Sequence, residues 1–128
     1  MKILLDTHAF LWWNMDAPQL SQKAKEMIAS SKTEIYISAA STWEIAIKCQ
    51  KGKLILPEPP EKYVISRISY YGFDILPIHI SHTVKTYSLP LIHADPFDRI
   101  LIAQCMLENM DMISADEYIR QYEVNVIW

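Results

Sequence analysis

The chain has 128 residues, 15 acidic and 12 basic, for a formal net charge of −3, with 51% hydrophobic residues and only two Gly and two Cys. At roughly 100–200 residues per domain the length suits one domain, residues 1–128, with a core large enough to need no disulfide or zinc staple. Glycine only at positions 52 and 72 excludes both a GxxxxGK phosphate loop and a GxGxxG dinucleotide turn, and an acidic balance argues against a general nucleic-acid binder, which usually carries a basic excess.

Read from the start, Met1-Lys2-Ile3-Leu4-Leu5 has the look of a signal peptide until Asp6 interrupts it. No apolar run approaches the roughly 18 residues a membrane span needs. A soluble, cytoplasmic protein is expected, with no membrane partner. Lys2–Leu5 reads as a strand, followed by a helix over Ala9–Met15 and another over Ser21–Ala29. A second strand covers Glu34–Ser38; a loop, Ala39–Ser41, then leads into a helix over Thr42–Lys51. Cys49 in that helix, like Cys105 further on, reads as a buried thiol in a reducing compartment, and their separation excludes a CxxC site. After the short linker Leu56–Pro60 come a helix over Glu61–Tyr71, a strand over Phe73–Leu76 and a helix over Ser81–Ser88. The pair His79-x-x-His82 has metal-ligand spacing, but without Cys or a HExxH frame it reads as surface. The last third holds a helix over Pro96–Asn109, a strand over Met112–Ser114, a helix over Glu117–Tyr122 and a strand over Val124–Ile127. Trp43 and Trp128 are expected to pack in the core. Strand and helix alternate, so the fold class is α/β: a largely parallel sheet of about five strands between helices, in three layers.

In such a sheet ligands bind beyond the carboxyl ends of the strands, where strand gives way to helix. Asp6 follows the first strand, Glu44 lies about one turn into the helix after the second, Asp98 stands in the first turn of the helix opened by Asp95-Pro96, and Asp116 follows Ser114. Taken singly, each has a plain explanation as a helix cap: Ser41 with Glu44, Asp95 with Asp98 and Ser114 with Glu117 all have capping-box spacing or nearly so. Taken together they are more informative, because the helices near Ser21 and Ser81 start without acids. Four carboxylates in one partly desolvated space need a counter-ion, and hard divalent cations such as Mg²⁺ or Mn²⁺ suit oxygen ligands.

These segments carry a resemblance. Leu4-Leu5-Asp6-Thr7-His8-Ala9-Phe10-Leu11-Trp12, Ser41-Thr42-Trp43-Glu44-Ile45-Ala46-Ile47-Lys48, His93-Ala94-Asp95-Pro96-Phe97-Asp98-Arg99-Ile100-Leu101-Ile102-Ala103-Gln104 and Ser114-Ala115-Asp116 resemble the successive motifs of PIN-domain ribonucleases. The likeness is strongest to the VapC type, the toxin halves of bacterial and archaeal toxin–antitoxin pairs. The resemblance implies a PIN-like fold and water attack on RNA phosphodiesters, with Asp6, Glu44, Asp98 and Asp116 as the acidic quartet. It implies Mg²⁺ or Mn²⁺ as cofactor, with Asp6 and Asp98 as direct ligands and Glu44 and Asp116 as further ligands or orienting groups. It also implies an antitoxin protein as partner and pairing into a homodimer. Asp95 looks like a helix N-cap. Ser114, where many relatives have Thr, and Thr7 are supporting hydroxyls; Arg99 is a phosphate contact or a solvated helix residue. Lys48, Lys51 and Lys53 are candidate RNA contacts, or simply a solvated helix end, and His93 orients the loop before Asp95.

Two other readings stay open. Ala9–Trp13 is apolar all round, which suits either a core helix or a groove for a partner, so the chain can be an interaction module with little catalysis. A solitary housekeeping nuclease would have the same motifs and no antitoxin. Setting the quartet aside leaves 11 acids against 12 bases, so the acidic excess lies in the proposed site. A bound cation would reverse the field that a phosphate meets there, and RNA engagement is therefore expected to depend on metal.

Overall fold

The computed structural model describes residues 1–128. In chain order the elements are β1 (Lys2–Leu5), α1 (Thr7–Asn14), α2 (Gln22–Ala29), β2 (Glu34–Ser38), α3 (Ala39–Gln50), α4 (Pro60–Tyr71), β3 (Asp74–Leu76), α5 (Ile80–Lys85), α6 (Pro96–Glu108), β4 (Asp111–Ile113) and β5 (Val126–Ile127), with single 3₁₀ turns at Thr86–Ser88 and Ile119–Gln121. The five strands form one sheet in the order β3-β2-β1-β4-β5, and every ladder is parallel. The expected α/β class and five-strand parallel sheet are what the chain adopts.

Each inner strand is apolar on both faces, as a parallel sheet covered on both sides requires. Ile3, Leu5, Ile35, Ile37 and Ile113 pack with Phe10, Ala24, Val64 and Ile68 in one core, while Leu4 and Met112 pack with Leu101, Ile102 and Ile119 in the other. Side chains alternate across a strand, so one run of sequence feeds both layers. The apolar helix α1 is largely core: Ala9, Phe10 and Leu11 are buried, and Trp12 and Trp13 pack against the same cluster. No helix is long and apolar enough to cross a membrane.

Three local expectations are corrected. Residues Ala39–Ser41 are not a loop, because Ser38 itself caps α3, its Oγ accepting from the Ala40 N–H at 3.0 Å. Residues 117–122 form only a 3₁₀ turn, the Ser114 hydroxyl accepting instead from the Asp116 N–H at 3.0 Å. His82 is not on the surface but fully buried, Nδ1 accepting from the His79 N–H at 3.0 Å and Nε2 lying 2.9 Å from Glu108 Oε2. The signal for its burial was beyond the local spacing, since Glu108 and Gln104 reach it from α6. Cys105 is buried as expected, its thiol pKa pushed up by burial, whereas Cys49 is only half-buried.

Gln104 ties these parts together. Its Oε1 accepts from Ser38 Oγ at 2.6 Å, its Nε2 donates to the Pro77 carbonyl at 3.1 Å, and both Gln104 and Ser38 are fully buried. Gln104→Leu leaves the Ser38 hydroxyl without an acceptor in the core, and we expect a loss of about 1–3 kcal/mol, measured by urea denaturation.

Candidate active site

The chain runs outward from β1 to β2 and β3 on one side and returns through α6 to β4 and β5 on the other, so β1 and β4 flank the point where the strand order reverses. Asp6 stands at this point. Its N–H donates to the Ile113 carbonyl at 3.1 Å, extending the β1–β4 ladder by one bond. Its side chain leaves the sheet to cap α1, Oδ1 accepting from the Ala9 N–H at 2.8 Å. The carboxyl is almost wholly buried, and burial raises its pKa above the usual carboxylate value despite hydrogen bonds from Ser114 and Ala9; the charge of Asp116 adds to the rise.

Glu44 reaches the same edge from the second turn of α3 and is 5% exposed. Thr7 Oγ1 donates to its Oε1 at 2.7 Å and lies 3.0 Å from Ser41 Oγ, while Lys48 Nζ donates to Oε2 at 2.7 Å. This carboxylate is therefore held on both oxygens, with one positive charge beside it.

Asp95 caps α6, its Oδ1 accepting from the N–H groups of Phe97 at 2.8 Å and Asp98 at 3.3 Å. That turn presents Asp98 inward. Burial, first, and then the charges of Asp95 and Asp6 raise the Asp98 pKa from 3.8 to about 7. The Glu44 charge pushes the same way and His93 opposes. Asp116, beyond β4, is oriented by its own Oδ1, which accepts from the Tyr118 N–H at 2.8 Å. Asp6 senses Asp116, and Asp98 senses Asp6 and Glu44, so all four acids belong to one electrostatic cluster.

His93 completes the arrangement. Its Nε2 lies 3.0 Å from Asp98 Oδ2 and 3.0 Å from Asp116 Oδ2. Its Nδ1 accepts from the Asp95 N–H at 3.2 Å. A backbone N–H can only donate, so Nδ1 is bare and the ring proton sits on Nε2, shared between the two carboxylates. Sequence reasoning gave His93 the loop-orienting bond to Asp95 but not this bridge, because Asp116 comes 23 residues later and on another element. The only local hint was a histidine two residues before the Asp95 cap.

The other candidates divide sharply. Arg99 is neither solvated nor free for a phosphate: it donates to the carbonyls of Pro90 at 2.9 Å and Thr86 at 2.8 Å and to Tyr122 Oη at 3.2 Å. Tyr122 Oη in turn accepts from the His93 N–H at 2.8 Å and donates to the Pro90 carbonyl at 2.8 Å. Arg99 and Tyr122 together anchor the loop that carries His93. Lys48 is engaged by Glu44, while Lys51 and Lys53 are exposed and make no ion pair. Gly52, at φ 71°, turns the chain between them after α3 ends. Trp43 is not in the core but 58% exposed, its ring edge-to-face with Phe97 at a centroid distance of 5.3 Å.

The donor set fits a hard divalent cation. Carboxylate oxygens of Asp98 and Asp116 lie within 4.8 Å of each other on either side of the His93 Nε2–H, and the neighbouring carboxyl of Asp6 is charged only at a desolvation cost that a cation would offset.

A family model described as "PIN domain" matches residues 3–125. Ribonuclease VapC22 of Mycobacterium tuberculosis is 24% identical over 123 residues, covering 94% of this chain and 91% of that protein. Ribonuclease VapC16 of the same organism is 38% identical over 61 residues, 48% of this chain and 43% of that protein. Among solved structures, VapBC2 from Rickettsia felis bound to a DNA fragment from their promoter matches with a TM-score of 0.73 at 15% identity, covering 100% of this chain and 99% of that one, a likeness of fold.

Because the folded pKa of Asp98 lies above its unfolded value, folding takes up a proton between about pH 4 and pH 7, and stability falls as pH rises through that window. Asp98→Asn removes the penalty. We expect it to raise the melting temperature of the metal-free protein by several degrees at about pH 8 and to give no gain at about pH 4, followed by calorimetry.

Proposed function

The chain belongs to the PIN-domain family, and on that premise we propose that it is an endoribonuclease, dependent on Mg²⁺ or Mn²⁺, that hydrolyses RNA phosphodiester bonds at the Asp6, Glu44, Asp98 and Asp116 cluster. The observation that carries the reading is the convergence of Asp98 Oδ2 and Asp116 Oδ2 on one point, each 3.0 Å from His93 Nε2, at the sheet edge where the buried carboxyls of Asp6 and Glu44 also stand. A purely structural cap has no use for that arrangement, whereas a cation site does.

In this reading Asp6 and Asp98 hold the metal directly, and Asp116 and Glu44 bind it or its waters. When bound, the cation supplies Lewis acidity at the phosphoryl oxygen and a lowered pKa for its water. The chain's own residues do the rest. Thr7 fixes the Glu44 carboxylate and Ser114 that of Asp6, so neither has to reorganise when a phosphate arrives. Lys48 donates to Glu44 Oε2 at 2.7 Å and places one positive charge beside that carboxylate. His93 keeps Asp98 and Asp116 at one distance from a common point until a cation takes up their charge. Arg99 serves by holding the His93 loop, not by touching RNA.

The biological role follows the relatives more than the geometry. Proteins named as VapC ribonucleases and a fold shared with toxin–antitoxin complexes support a toxin whose partner is an antitoxin protein. Residues 1–128 act as one domain, in the cytoplasm. Exposed Ile80, Val84 and Tyr87, on α5 and just beyond it, supply apolar surface for pairing two copies. A reading frame beside this one that encodes a small DNA-binding protein with an amphipathic tail would favour the toxin over a solitary nuclease.

Asp6→Asn keeps the cap to Ala9 but removes a charged ligand. We expect cleavage of structured RNA in Mg²⁺ or Mn²⁺ to fall by more than the roughly hundredfold that loss of an outer-shell partner costs, with an unchanged circular dichroism spectrum. Full activity in that variant would overturn the assignment. Mn²⁺ should raise the melting temperature of the unaltered protein and leave that of Asp98→Ala unmoved; equal shifts would favour a non-catalytic interaction module.

A further inference from the structure

Trp43 and Phe97 each precede a carboxylate of the cluster by one residue, Trp43 before Glu44 on α3 and Phe97 before Asp98 on α6. Successive residues on a helix point about 100° apart, so turning Glu44 and Asp98 inward sets the preceding residues at the rim. Solubility would be served at that rim by any polar side chain. Two aromatic rings stand there instead, from elements far apart in sequence. They meet edge-to-face at 5.3 Å with an interplanar angle of 75°, yet Trp43 remains 58% exposed. The contact braces one edge of the indole without covering it.

The surroundings give the charge of the ligand. Phe97 lines a cleft of about 260 Å³ together with Glu44, Lys48, Lys51, Lys53 and Asp95, whose Oδ1 is engaged in the α6 cap, and Trp43 stands beside this cleft against Phe97. Lys48 is neutralised by Glu44, but Lys51 and Lys53 carry exposed ammonium groups with no acidic partner. One cleft thus offers two free positive charges, an aromatic wall and a carboxylate of the reacting cluster. A base needs a flat apolar face and its phosphates need cations, and only an unpaired nucleotide exposes both at once.

We infer that Trp43 and Phe97 form a stacking subsite for an unpaired RNA base next to the scissile phosphate, with Lys51 and Lys53 holding the adjoining backbone. This rests on the nuclease reading above and adds which side chains hold the base beside the reacting phosphate. A base inside a duplex has no free face, so the contribution of Trp43 is confined to unpaired RNA. Stacking tolerates any base, and any sequence preference then arises elsewhere in the site.

The test measures fluorescence anisotropy of a labelled oligoadenylate, and of its duplex with oligouridylate, against protein in the Asp6→Asn background in Mg²⁺. Adding Trp43→Ala should weaken single-strand binding by roughly five- to a hundredfold and leave the weaker duplex binding unchanged. Trp43→Phe should restore most of the affinity while removing the quenching of intrinsic fluorescence that stacking on the indole produces. Exchanging Lys51 and Lys53 for Gln should flatten the salt dependence of binding. If the Asp6→Asn protein binds single strands and Trp43→Ala, folded by circular dichroism, binds within twofold of it, the subsite is overturned alone. If the unaltered protein neither binds nor cleaves either RNA in Mg²⁺, the subsite falls together with the nuclease reading. Where it cleaves but the Asp6→Asn protein does not bind, Trp43→Ala in the unaltered protein should raise KM for the single strand by the same factor, and an unchanged KM overturns the subsite alone.

Discussion

Asp98 and Asp116 both approach the same imidazole nitrogen, at 3.0 Å each, and two carboxylates so close repel unless a positive or polarised group stands between them. In this protein the Nε2–H of His93 is that group. Its proton is on the right nitrogen because the Asp95 N–H already occupies the other. The Asp95 N–H is in turn placed by the start of α6, and the His93 loop by Arg99 and Tyr122. Several features that look unrelated in sequence, an arginine spent on loop carbonyls, a tyrosine hydroxyl and a helix cap, converge on keeping two acids at one separation.

The parallel sheet makes that convergence possible. All five strands run the same way, so every helix that follows a strand begins at the same edge, and N-terminal residues from α1, α3 and α6 meet there. Helix N-termini favour negative charge, which lowers the cost of gathering carboxylates at that edge. The protein uses each acid economically: Asp6 caps α1 with one oxygen and turns its charge toward the cluster. Capping and site-building are thus not competing explanations of Asp6. For Asp95 and Asp98 the two roles are divided, one residue capping α6 and the other facing inward.

Charge is distributed to match. Outside the quartet, acids and bases nearly balance, and the unpaired lysines at the end of α3 lie in the cleft that opens on Glu44. A net acidic chain can therefore present a locally positive approach to a negative site, because fields in a cleft are set by the nearest groups, not by the total. Lys48 belongs to the site's own charge balance, and only its neighbours further along face outward.

Much of this was legible in the sequence. The strand–helix alternation, the apolar inner strands, the four acids after strand ends and the Asp95 cap are local patterns, set by side-chain period and capping chemistry that act within a few residues. What failed to show locally was decided by groups distant in sequence. Ser38 rather than Ser41 caps α3 because the strand runs straight into the helix with its hydroxyl also held by Gln104. His82 is buried because α6 brings Gln104 and Glu108 to it, and Arg99 is spent on carbonyls because its loop folds back over α6. Trp43, an apolar residue in an apolar segment, lies at the surface because Glu44 takes the inward position beside it. The sequence by itself determined the layers and the residues eligible for the site, since periodicity and caps are short-range. Only the tertiary structure decided which polar groups pair, because a hydrogen bond between elements depends on packing that no single segment contains.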